Sequence, residues 1–120
     1  MTDYTLTIDG TQQRAARTFS VLNPATEEVI GEAPACSAEQ LNAAVAAAKR
    51  AFETWKRDEG ARRQALKRAS ELLFAKAQEI GRTLTLEQGK PLAQAVGEVM
   101  GAAAQLKSAA AMPLPHEVTR

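Results

Sequence analysis

Cysteine and histidine each occur once, as Cys36 and His116. A single cysteine excludes an internal disulfide and a cysteine-based zinc site, and one histidine beside it leaves no clustered His/Cys metal centre. Neither sign of charge dominates. Fifteen Lys+Arg stand against fourteen Asp+Glu for a formal net charge of +1, so no global field would gather nucleic acid or an anionic membrane. Long apolar runs are missing as well. Nothing approaches the roughly 18 residues of a membrane span, and Met1-Thr2-Asp3-Tyr4 lacks the basic and apolar regions of a signal peptide. The sequence therefore predicts a cytoplasmic protein without nucleic-acid or membrane partners. It contains no Gly-x-Gly-x-x-Gly, no Ser/His/Asp set and no paired histidines. By chemistry alone, 120 residues of this kind make one small domain's worth of chain and not a complete enzyme.

What is present divides by period. Tyr4, Leu6 and Ile8 alternate with Thr5 and Thr7, the pattern of a half-buried strand, and Asp9-Gly10 signals a turn. After the polar stretch Gln12 to Arg17, Thr18 to Leu22 reads as a second strand that stops at Asn23-Pro24, and Glu28-Val29-Ile30 as a third. Residues 1–34 are thus expected to form a small β layer. From Ser37 the period becomes 3.6. Leu41, Ala44, Val45, Ala48, Phe52 and Trp55 share a helix face, with Ser37 and Gln40 forming a capping box. A second stripe, Leu66, Ala69, Leu73, Ala77 and Ile80, runs to about Gly81. A third helix opens at Pro91 and carries Leu92, Ala95, Val96, Val99, Ala103 and Leu106. Gly97 and Gly101 on that helix each cost about 1 kcal/mol of propensity, which predicts a close neighbour pressing on them. The fold class expected is α+β, a β layer followed by three amphipathic helices over residues 35–120.

Few side chains invite chemistry. Cys36 precedes a helix N-terminus, where the dipole favours a thiolate, but no histidine is near it in sequence. His116 lies in a proline-broken tail and reads as a surface residue. Trp55 could stack on a ligand, yet its place on the helix stripe assigns it to the core. Gly89-Lys90 suggests a phosphate loop. The glycine that such a loop needs five positions earlier is Leu84, and Pro91 replaces the Mg²⁺-binding hydroxyl, so that reading fails. Glu87 could ligate a hard cation or organise its loop through a salt bridge. Arg62, Arg63, Lys67 and Arg68 are a solvated face, without the aromatic platform that nucleic-acid binding would need.

Four segments, in order and spacing, resemble the N-terminal part of the NAD(P)-dependent aldehyde dehydrogenases: "VLNPATEEVIGEAP" from Val21, "AEQLNAAVAAAKRAFETW" from Ala38, "ARRQALKRASELL" from Ala61 and "LTLEQGKPLAQAVGEV" from Leu84. The resemblance covers about residues 4–107. It implies that the β layer is an oligomerisation-type arm and that the helices pack on a nucleotide-binding domain whose sheet, like the catalytic domain, lies outside this stretch. It further implies that Lys90 is a scaffold charge. A monovalent cation, Na⁺ or K⁺, would be held by the Val21 and Leu22 carbonyls and the Glu87 carboxylate. The family's chemistry uses a cysteine thiolate, hydride transfer from an aldehyde adduct to NAD or NADP, and a glutamate that activates water. No residue here matches that cysteine or glutamate, so no catalytic or cofactor-binding residue is assigned and the 120-residue chain alone is expected to be inactive. The alternative is a self-associating or partner-binding α+β module, either as a homo-oligomer or with a full-length relative, because the stripes through Phe52, Leu73 and Val99 need covering.

Overall fold

The structure is a computed structural model that describes residues 4–113. Four short strands come first: β1 (Leu6–Ile8), β2 (Thr11–Gln13), β3 (Arg17–Leu22) and β4 (Val29–Ala35). They form two separate antiparallel ribbons, β1 with β2 and β3 with β4. In the first ribbon Ile8 faces Thr11 across a two-residue turn, with Asp9 at φ 52° and Gly10 at φ 74°. Positive φ at both central residues is the geometry whose twist suits a hairpin, and Asp-Gly adopts it readily. The all-polar β2 lies partly in the stretch expected to be non-strand. The turn, not apolar alternation, brings it into register.

Four helices follow where three were expected: α1 (Ala38–Trp55), α2 (Glu59–Ala75), α3 (Ala77–Gln88) and α4 (Leu92–Ala111). Ser37 and Gln40 make the predicted capping box at 3.2 and 3.1 Å. Asp58 caps α2 by accepting from Ala61 N at 2.8 Å. The stripe from Leu66 to Ile80 does not belong to one helix, because the backbone breaks at Lys76 (φ −102°, ψ 11°). The break lets α2 and α3 each lie along α4, and that contact outweighs the strong helix propensity of the Ala-Lys-Ala sequence. Gly89, at φ 71°, ends α3 in the left-handed region with its N–H donated to Thr85 O at 2.9 Å, and Pro91 precedes α4.

Ala95 and Ala103 of α4 are fully buried and Val99 nearly so. Opposite them, Ser70 donates to Ala103 O at 2.7 Å, which satisfies the one buried polar side chain among the described residues. Arg63 reaches from α2 to the end of α4, donating to Ala110 O at 2.7 Å and Met112 O at 2.6 Å while pairing with Glu59. The close approach expected at Gly97 and Gly101 is not there, since both face open space. It falls at Gly81, where a Cβ would lie 2.6 Å from Val96 Cγ2 and 3.0 Å from Val96 N.

Helix α1 departs most from expectation. It lies against β1, with Arg50 paired to Asp9 at 2.9 Å, and Ala47 is its one buried residue among the described residues. Its large apolar residues are turned away: Val45, Phe52 and Trp55 are 60, 55 and 45 % exposed. Trp55 is therefore not a core residue of the described chain. No large side chain is fully buried among the described residues. The radius of gyration is 18.1 Å, against about 14 Å for a compact domain of this length.

Candidate functional site

The Asn23-Pro24 turn is held by its own polar groups. Asn23 Oδ1 accepts from Ala25 N at 2.9 Å and Asn23 O accepts from Glu27 N at 2.7 Å, with Glu27 at φ 59°. The ladder between β3 and β4 slips in register between Val21 and Leu22, just before this turn. Such an irregularity leaves backbone groups outside the regular ladder. Across from it stands the α3–α4 turn, where Pro24 Cγ would meet a Cβ at Gly89 at 3.1 Å. The two short sequence markers, 65 positions apart as Pro24 and Gly89 are numbered, meet in space.

Beside this contact is a cleft of about 340 Å³ between the second ribbon and α3, bordered by Tyr4, Val21, Ile30, Gly31, Thr83 and Glu87. It brings two of the three nominated cation ligands, Val21 and Glu87, to one site. Leu22 lies past the register slip, is half exposed, and does not line the cleft. The Glu87 carboxylate makes no ion pair among the described residues, so the loop-organising salt bridge is not found; Gln88 Nε2 approaches it at 3.4 Å. Lys90 turns the other way and pairs with Glu98 of α4. That pair ties the residue before Pro91 to the body of α4. Among the described residues no three His, Cys, Asp or Glu side chains converge on a point that could hold a metal ion.

The remaining candidates stay apart. Cys36 is exposed, and its Sγ contacts Ser37 O at 3.5 Å. His116 lies outside the described residues. Glu39 in the first turn of α1 is held below its ordinary value of 4.5 by backbone hydrogen bonding and by the Ser37 side chain. This is a consequence of capping and is remote from the cleft. The contact between the Asn-Pro turn and Gly89 was not deduced from sequence, although a glycine between a helix stop and a Lys-Pro start was its signal.

Comparison with known proteins agrees with this layout. The family model described as the aldehyde dehydrogenase family matches residues 11–117. A Pseudomonas protein named as a probable aldehyde dehydrogenase is 41% identical over 116 residues, which is 96% of this chain and 24% of that protein. The mitochondrial succinate-semialdehyde dehydrogenase of Arabidopsis thaliana is 43% identical over 84 residues, covering 69% of this chain and 16% of its own length. In structure, an NAD-dependent aldehyde dehydrogenase from Sinorhizobium meliloti superposes with a TM-score of 0.85 at 34% identity, covering 90% of this chain and 23% of that one. An NADP-dependent enzyme of E. coli gives 0.83 at 33% identity, covering 91% and 23%. The chain thus spans about a quarter or less of the length of these relatives, and within that span it belongs to the aldehyde dehydrogenase family.

Proposed function

We propose that this chain contributes scaffold, and no catalytic group, to an enzyme that oxidises an aldehyde to a carboxylic acid with NAD⁺ or NADP⁺ as hydride acceptor. The observation that carries this reading is the family match over residues 11–117, in which the only cysteine is Cys36, exposed and, among the described residues, in hydrogen-bond contact with Ser37 O alone. The described residues hold no glycine-rich nucleotide loop, so the cofactor would be bound by groups outside them. The test is a turnover assay of the purified 120-residue chain with a panel of aldehydes and either cofactor, read as absorbance of the reduced nicotinamide. No rate above buffer is expected. A rate that is abolished by Cys36→Ser would overturn the assignment.

Within that enzyme, residues 1–34 would serve as an oligomerisation-type arm and residues 35–120 would pack on the nucleotide-binding domain. The exposed Phe19, Val29 and Ile30 on the second ribbon, and Val45 and Phe52 on α1, support both roles, since apolar surface of this extent favours a covering partner. The same surface supports self-association of the chain, or its association with a full-length relative, when it is alone. Sedimentation at micromolar concentration should reveal assemblies. A monomer that unfolds in one cooperative transition would argue against them.

The cleft also suits a monovalent cation. Glu87, which makes no ion pair among the described residues, supplies a carboxylate, and Val21 borders the same cleft, where its carbonyl oxygen would be the other donor of the kind that hard cations prefer. Binding to the folded state alone would stabilise it by about 0.4 kcal/mol when the cation concentration equals its Kd. Thermal midpoints should rise with Na⁺ or K⁺ relative to choline, and Glu87→Gln should remove the difference. Equal midpoints in all three salts would refute the site.

A further inference from the structure

We draw no further inference here: the strongest candidate, the open groove between α2 and α4 bordered by Lys67, Phe74 and Lys107, is an unpartnered surface, and nothing in the structure shows what covers it.

Discussion

Alanine at Gly81 and alanine at Gly97 are the same chemical change on two facing helices, and the structure gives them opposite signs. A methyl group on Gly81 would sit 2.6 Å from Val96 Cγ2, 3.0 Å from Val96 N and 3.1 Å from Val96 Cα. Carbon atoms rest comfortably at about 3.5–4.0 Å, so the helices must separate by several tenths of an ångström. Rotating the valine is no escape, because χ1 of a β-branched residue is nearly fixed in a helix and the backbone atoms remain in the way. Overpacking of this kind costs roughly 1–3 kcal/mol, while alanine regains about 1 kcal/mol of helix propensity. The expected balance for Gly81→Ala is a loss of about 1 kcal/mol. At Gly97 and Gly101 nothing lies within 4 Å, so only the propensity term applies and each alanine should gain up to about 1 kcal/mol. Urea unfolding followed by far-UV circular dichroism would measure all three as changes in midpoint at constant slope. The packing argument fails if Gly81→Ala is as stable as the parent chain, or if Gly97→Ala is less stable.

Two further expectations rest on the helix ends. Arg63→Ala removes two charged hydrogen bonds to the last carbonyls of α4 and the pair with Glu59, and should cost about 2 kcal/mol. Arg63→Lys should recover less than half of that in the same urea titration, because an ammonium lacks the fork that serves both carbonyls. At the start of α1, Ser37→Ala should destabilise the helix by about 1 kcal/mol. Glu39 adds a pH dependence of known sign: its folded value is depressed, so its contribution is present above 4.5 and lost as pH falls through the folded value. Glu39→Gln should flatten that part of the acid titration of α1 seen by NMR, and an unchanged profile would show that the capping bonds do not act on it.

The parts of this fold that were legible are those whose cause is local. Ser37 with Gln40, Asp9-Gly10, and the helix start at Pro91 each act within a few residues, and each does what its chemistry predicts, whereas the helix expected to end near Gly81 runs on to Gln88 before Gly89 stops it. The break at Lys76 was not legible, since alanine and lysine are good helix formers and the apolar stripe passes through the break without losing phase. Its result is that α2 and α3 both lie along α4, a contact between segments far apart in sequence. The burial of α1 was misread for a related reason. The stripe through Val45, Phe52 and Trp55 is present, but no surface among the described residues covers it, and the small Ala47 is the residue of α1 that is buried. In the cleft, Val21 and Glu87 were nominated by the family's pattern. Periodicity could not have joined them, because their meeting depends on where the second ribbon lies against α3.

The contact of Pro24 with Gly89 bears on how this stretch can be exchanged between relatives. Gly89 sits at φ 71°, where an L side chain is strained, and the proline ring occupies the space that such a side chain would need. Each partner therefore limits what the other position can become. A chimera with its junction anywhere between residues 25 and 88 would draw the two halves of that contact from different parents, whereas a junction before residue 23 or after residue 92 would carry them together. The second kind of crossover should yield the larger fraction of soluble hybrids.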